Sequence, residues 1–561
     1  VSVARPAFSP SPAPASATPV PSRPGTPAAV VALAWDRLSR SPYWSVAGLL
    51  VALGAVLRLR QWAYARSFWS DELYVAHNIR ERGYLDLLQP LAFSQSAPPG
   101  WLWLERFALE QFGDGERALR LVPLLFGLAL LPLVAWLGRA LLPPLAALAA
   151  LLLVAVAPFL IGYSNELKQY SAEAFGVTLV VGLALLLVRT GPTWAGSAVF
   201  WSAAAVTAFV STLSIPVTGA LGVLLGGYLL SRPDRRWAGG CRDLGRFLAP
   251  APAWGAVALV VYVLFLAPGL ADPQLAAYWR AKSIYPARSL TDLAATVEWL
   301  AATYRSLATV PFVAWSAWVV VPLLVLGTAA GLRRLSAVAV LVLLTPLAAG
   351  LAGAAVSVYP FNGRLALYAV PACLLLAALA VTPPPLRAGL PARIRWVVAV
   401  VLLLALAVPQ LATAVVATVH PARAFAQGGG ANAVDYRDAL RHLDDRRRPG
   451  DLVLATTVSW NAQAWYGPPT DAYVVAAGPG GCPKQSVSTL LPGRSRVWLF
   501  QATDWADGAN RDVIVRLGGS GVAVAERQFS GARVVRFDLA AGVTKGNDVC
   551  LVPPPNGAAV R

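Results

Sequence analysis

The chain has 561 residues, of which 57% are hydrophobic and 13% charged, with a mean hydropathy of +0.58. A soluble globular chain carries about 25% charged residues, so this composition excludes a protein bathed in water along its whole length. The formal net charge of +18 does not point to nucleic acid, because arginines gather in short stretches between long apolar runs, where anionic lipid and membrane topology account for them.

Residues 1–30 are rich in Pro, Ala and Ser and read as a disordered cytoplasmic tail. They lack the n-region and h-region of a cleaved signal peptide, which leaves targeting to the first spanning helix. Apolar runs follow near 43–60, 119–138, 143–161, 172–189, 195–212, 214–231, 248–268, 311–328, 335–353, 365–381 and 394–412. Each approaches the about 17–25 residues that cross a bilayer as a helix. With a cytoplasmic N-terminus, Arg139, Arg189, the cluster Arg232, Arg235, Arg236, Arg242 and Arg246, the pair Arg333 and Arg334, and Arg387, Arg393 and Arg395 all fall in alternate loops. That is the positive-inside pattern, and it places the C-terminus outside.

The outer loops 61–118 and 269–310 mix acidic, basic, aromatic and proline residues, and the spacing in 74–92 predicts a helix lying flat on the membrane. After about residue 421 the pattern turns into that of a small α/β domain. The helix Tyr436–Leu443 leads to the strand LVLAT, followed by strand segments DAYVVAA, SRVWLF, RDVIVRLG, GVAVAERQF and RVVRFD. The expected fold is therefore a polytopic all-α membrane protein of about eleven transmembrane helices. Residues 31–420 form its membrane domain, and 421–561 form an extracytoplasmic α/β domain.

The sharpest local feature is Phe68-Trp69-Ser70-Asp71-Glu72, just after the first apolar run. Adjacent carboxylates at headgroup depth are costly unless solvated or used, and one of them can take a proton from an attacking hydroxyl. A solvated pair of loop acids is the plainer alternative. Gln95-Ser-Ala-Pro-Pro-Gly-Trp101 supplies a stiff aromatic wall or a simple interface anchor. Tyr163-Ser-Asn-Glu166-Leu-Lys168-Gln-Tyr170 packs a carboxylate, an ammonium and two phenols into eight residues, enough to hydrogen-bond a sugar or engage a phosphate; Lys168 could instead only snorkel. Tyr278, Arg280 and Lys282, then Tyr359 and Arg364, add outer cations and phenols, and cations converging at the headgroup plane would neutralise a phosphodiester. Arg58 and Arg60 are further cations near the acid pair.

Cys482 and Cys550 lie in the polar C-terminal part, where an extracellular location would permit a disulfide. His77, His420 and His442 are far apart in sequence and do not predict a His-rich zinc site. Asp71 and Glu166 offer ligands for a divalent cation, but their spacing demands none, and no cofactor is predicted.

Taken together, Asp71-Glu72, QSAPPGW at 95–101, Gly115-Glu116-Arg117-Ala-Leu-Arg120 with Pro123, YSNELKQY at 163–170, and YPFNGRLALY with Pro371 resemble the GT-C class of membrane glycosyltransferases. Within it they are similar to the bacterial branch related to protein O-mannosyltransferases and to the aminoarabinose transferase that modifies lipid A. The resemblance covers roughly residues 43–412. It implies transfer of a sugar, with inversion, from a polyprenyl-phosphate donor to an acceptor hydroxyl outside the cytoplasmic membrane. Asp71 would be the general base and Glu72 its neighbour, while Glu166 and Lys168 would contact sugar and phosphate; Lys168 stands where many relatives carry Arg. The Arg, Ala and Gly bias fits a high-GC actinobacterial source, for which the resemblance implies a decaprenyl-phosphate sugar and an envelope glycan, glycolipid or protein as acceptor. Two other classes are a lipid-linked sugar flippase, which would place polar groups within its helices and show repeats, and a noncatalytic wall-assembly protein, for which chemistry in the membrane loops would be unnecessary.

Overall fold

The computed structural model describes residues 42–552 apart from 233–236, most of 271–291, 310–316, 384–388, 422–433, 458, 468–471, 478–484, most of 503–520 and 540–548. The chain divides into two compact units, 1–48 and 49–561. Of the first, residues 42–48 form the opening turns of the helix Pro42–Tyr64.

Seven helices are long and apolar enough to cross a membrane: Pro42–Tyr64, Leu121–Leu141, Tyr170–Thr190, Ser214–Ser231, Ala337–Ala355, Gly363–Val381 and Leu390–Val419. An eighth arises if Ala238–Leu248 and Ala251–Leu266, bent by 46°, form one span. Seven or eight spans among the described residues leave the expected eleven unconfirmed. Hydropathy counts apolar residues but does not see where the helical ladder stops. The run at 143–161 gives only the 13-residue helix Pro144–Val156, because Pro158 cannot donate an N–H to continue it. The helix Trp194–Val210 has 17 residues.

The stretch 74–92 is not one flat helix either. The helix Ser70–Glu81 ends before a short 3₁₀ turn at Asp86–Leu88, and its Leu73, Val75, Ala76 and Ile79 are buried. Its first turn is set by Glu72, whose Oε2 accepts the Trp69 N–H at 3.3 Å, and acids there favour the positive end of the helix dipole. The next helix, Pro99–Phe112, starts on prolines suited to a first turn and stops at Gly113 with φ of 87°.

The C-terminal part is a seven-stranded mixed sheet of order β3-β7-β2-β1-β4-β6-β5. Its strands are β1 (Leu452–Thr456), β2 (Ala472–Ala477), β3 (Gln485–Ser486), β4 (Arg496–Ala502), β5 (Gly521–Phe529), β6 (Ala532–Leu539) and β7 (Val549–Leu551). β2, β1 and β4 run parallel, and β6, β5, β7 and β3 add antiparallel edges. RDVIVRLG at 511–518 lies mostly outside the described residues, and its Val513 and Leu517 are helical rather than extended.

One hydrophobic core joins this domain to the loops between the membrane helices. Phe68, Leu73, Ile79 and Trp101 share it with Tyr436, Leu440, Trp460, Phe500 and Val534. Burial of so much aromatic and branched apolar surface is the main force fixing one part on the other. The loop carrying Glu166 and Lys168 is seated by Gly127, where a Cβ would lie 2.4 Å from the Ser164 side chain. Only glycine permits that approach of loop to helix.

Candidate active site

The two adjacent acids have different environments. Glu72 is fully buried and forked by Arg120, with Nε–Oε1 at 2.8 Å and Nη2–Oε2 at 2.6 Å, and its Oε1 also accepts the Leu167 N–H at 2.8 Å. Burial works against its charge, but Arg120 overrides it and holds the carboxyl below the usual range. Glu72 therefore ties together the segment before Asp71, the start of the helix Leu121–Leu141, and the loop ahead of Lys168.

Asp71 faces cations from two other parts of the chain. Its Oδ1 lies 3.0 Å from Lys168 Nζ and its Oδ2 lies 2.7 Å from Arg364 Nη2. Burial alone would raise this carboxyl, but Lys168 and then Arg364 pull it down to about 2. Lys168 also donates to Gln95 Oε1 at 2.8 Å. The Arg364 guanidinium lies 5.3 Å from the Trp69 ring centre and 5.7 Å from that of Tyr170, within reach of a cation–π attraction. Tyr359 shapes the turn that presents Arg364 by donating to the Leu365 carbonyl at 2.7 Å.

Glu166 differs from both. It is fully buried, neither oxygen accepts a hydrogen bond among the described residues, and Arg66 Nη2 lies 4.0 Å from Oε2. Burial and the neighbouring Glu72 push it up to about 7, against the pull of Arg66 and Arg364. Tyr163 and Tyr170 meet edge to face at 5.2 Å beside it, and the Tyr163 phenol has no hydrogen-bond partner among the described residues.

Asp71, Gln95, Glu166, Lys168, Tyr163, Tyr170 and Arg364 are thus brought together from loops far apart in the sequence. Arg58 has protein partners of its own: it donates to the carbonyls of Gly54, Ala155 and Val154 at 3.0, 3.2 and 3.3 Å. The Val154 carbonyl is the one that Pro158, lacking an N–H, cannot satisfy. Arg60 and Arg280 are exposed, and no ion pair joins either to Asp71 among the described residues. Tyr278, Lys282 and Cys482 lie outside the described residues, while Cys550 is disulfide-bonded. Among the described residues, no three His, Cys, Asp or Glu side chains gather as a metal cluster.

The sequence reading missed four contributors. Arg120 was visible only as part of a motif, without its pairing to Glu72. Glu173 is buried one turn beyond Tyr170 on the same face of an apolar helix, and an acid within a span is itself a signal. Tyr436 and Tyr466 come from the sheet domain: the Tyr436 phenol is 3.1 Å from Ser70 Oγ, and that of Tyr466 accepts the Phe68 N–H. No local pattern announces contacts across more than 350 residues.

Residues 96–240 match the family described as dolichyl-phosphate-mannose-protein mannosyltransferase, which bears out the GT-C resemblance over that part of the chain. Among solved structures, the chain is similar to ArnT from Cupriavidus metallidurans bound to undecaprenyl phosphate, at 15% identity and a TM-score of 0.48, covering 91% of this chain and 99% of that one. It is also similar to the archaeal oligosaccharyltransferase AglB from Archaeoglobus fulgidus in complex with an inhibitory peptide and a dolichol-phosphate, at 15% identity and a TM-score of 0.46, covering 76% and 63% of the two chains. A search among proteins of curated function finds no match.

Proposed function

We propose that this chain is an inverting glycosyltransferase of the cytoplasmic membrane. It moves a sugar from a polyprenyl-phosphate donor, decaprenyl in an actinobacterial setting, to a hydroxyl of an envelope glycan, glycolipid or protein. Residues 31–420 form the catalytic membrane domain, the N-terminus faces the cytoplasm, and the site and the domain 421–561 face outward. The observation that carries this reading is Asp71 held between Lys168 and Arg364 at 3.0 and 2.7 Å: a buried acid and two cations, Lys168 buried and Arg364 partly so, match the needs of transfer from a phosphate.

The donor phosphate competes with Asp71 for Lys168 and Arg364. Once those cations turn to the phosphate, the Asp71 carboxylate loses what depresses its basicity. It then accepts the proton as the acceptor oxygen attacks the anomeric carbon opposite the phosphate. The bond from that carbon to the phosphate oxygen breaks, and Lys168 and Arg364 stabilise the charge left on polyprenyl phosphate. Glu72, engaged by Arg120, keeps Asp71 in place, and direct displacement needs no second nucleophilic carboxylate.

The test is transfer by purified protein supplied with a panel of decaprenyl-phosphate sugars and envelope acceptors. Wild type should transfer at least one sugar, and Asp71→Asn should bind donor yet lose about 10²–10⁴-fold in turnover. Near-normal turnover by Asp71→Asn removes Asp71 as base. Donor lipid crossing vesicle bilayers with no sugar transferred would favour the flippase class instead.

A further inference from the structure

The transfer proposed above converts a phosphodiester of one negative charge into a phosphomonoester that carries close to two near neutral pH, and it releases the acceptor's hydroxyl proton. A buried site must accommodate both changes at once, because uncompensated charge is costly away from water.

The cluster contains one group suited to that. Glu72 is neutralised by its fork to Arg120, and Asp71 is ion-paired to Lys168 and Arg364. Glu166 is as enclosed as Glu72 but, among the described residues, has no hydrogen bond to either oxygen. The groups acting on it from the surrounding elements are the carboxylates Glu72 and Asp71, the cations Arg66, Arg364 and Lys168, and the phenols Tyr163 and Tyr170. With Glu72 and Arg120 taken as a neutral pair, the cations Arg66, Lys168 and Arg364 against Asp71 leave a surplus of one positive charge when Glu166 is ionised. The surplus is two when Glu166 is protonated.

We propose that Glu166 is the resting place of the proton released in each turnover, so that the charge of the site rises by one as the charge of the phosphate falls by one. The O–H bond of the acceptor breaks, its electron pair forms the bond to the anomeric carbon, and the proton passes through Asp71 to Glu166. The electron pair of the cleaved bond leaves with the phosphate. An ionised Glu166 matches the diester donor, and a protonated Glu166 matches the monoester product. Departure of polyprenyl phosphate then favours loss of the proton, which resets the site. The near-neutral position of the Glu166 carboxyl suits it to both states.

This inference rests on the transferase reading, and its main test does not require transfer. Binding of decaprenyl phosphate to the full-length protein in nanodiscs is measured from pH 5.5 to 9 for wild type, Glu166→Gln and Glu166→Asp. The Gln variant is permanently neutral, so at pH 8.5 it should hold the lipid phosphate about tenfold more tightly than wild type, and the two should converge near pH 5.5. The Asp variant keeps an ionisable group and should keep pH-dependent binding. Where transfer is measurable, wild-type turnover should climb through neutral pH, since Glu166 must begin ionised, and Glu166→Gln should lose that rise. Parallel binding curves for wild type and the Gln variant would overturn the role of Glu166. Wild-type failure to transfer any donor sugar would instead overturn the transferase reading.

Discussion

The phenolic oxygen of Tyr466 accepts the backbone N–H of Phe68 at 2.7 Å and donates to Glu116 at 3.0 Å, so the sheet domain grips the chain three residues before Asp71. Around that point Arg437 Nη1 reaches the same Glu116 oxygen at 2.7 Å, His77 Nε2 lies 3.0 Å from the Asn461 carbonyl, and the Arg80 guanidinium sits 4.0 Å from the Trp465 ring centre. The domain therefore packs directly on the helix that presents the acid.

This contact predicts that Tyr466→Phe lowers turnover several-fold while leaving the donor KM within about twofold, because the lost bond, worth about 1 kcal/mol, aims the Asp71 helix and leaves the phosphate cations in place. Tyr436→Phe, which removes the phenol 3.1 Å from Ser70 Oγ, should behave alike. Steady-state kinetics decide it: a rise in KM with unchanged kcat in both variants would place the effect on donor binding.

Arg120 gives a second prediction, this one about stability. Replacing it by Met leaves Glu72 buried without its fork, and breaking one side of a buried pair costs about 3–5 kcal/mol. Denaturation in detergent should show a loss of that order for Arg120→Met. The double variant Arg120→Met/Glu72→Gln should recover a large part of it, since the orphaned charge is gone. Equal stability of the single and double variants would show that the charge is not what matters.

The sequence made Asp71, Gln95, Glu166, Lys168 and Arg364 visible because each lies in a loop or at a run boundary on the same predicted side. A site at a bilayer surface can only be assembled from such places. What it could not show was which acid pairs with which cation. Asp71 and Glu72 are identical to any reading of local pattern, yet a helix sends neighbouring side chains about 100° apart, one toward Lys168 and Arg364 and the other toward Arg120. Arg58 read as a cation near the acid pair for a similar reason; its bond to the Val154 carbonyl depends on the break at Pro158, 100 residues on. The sheet domain was legible from short apolar strand segments such as LVLAT and SRVWLF, continuous runs that become the buried central strands β1 and β4, but not its docking on the helix Ser70–Glu81, which rests on scattered aromatics.

Asp71 also predicts an acid limb of stability. Its carboxyl is held at about 2 in the folded protein, against 3.8 for an ordinary aspartate. A depressed acid contributes stability that is complete above about pH 4 and is lost as the pH falls toward about 2. The contribution is about 2 kcal/mol. Unfolding midpoints measured between pH 6 and 2 should fall more steeply for wild type than for Asp71→Asn; identical slopes would mean that Lys168 and Arg364 do not hold the acid in solution.

Glu166 predicts the opposite limb. Its carboxyl stands at about 7 when folded, above the ordinary 4.5, so the folded state binds a proton that the unfolded chain has already released. Stability from this group is complete below about pH 4.5 and is lost as the pH rises through 7, by about 3 kcal/mol. Glu166→Gln removes the cost of an ionised carboxylate without changing the shape of the side chain. It should match wild type at pH 5 and exceed it at pH 8.5 by a margin of that order. Unfolding in the absence of any lipid phosphate reads this directly. A variant no more stable than wild type at pH 8.5 would mean that Arg66, 4.0 Å away, already satisfies the charge.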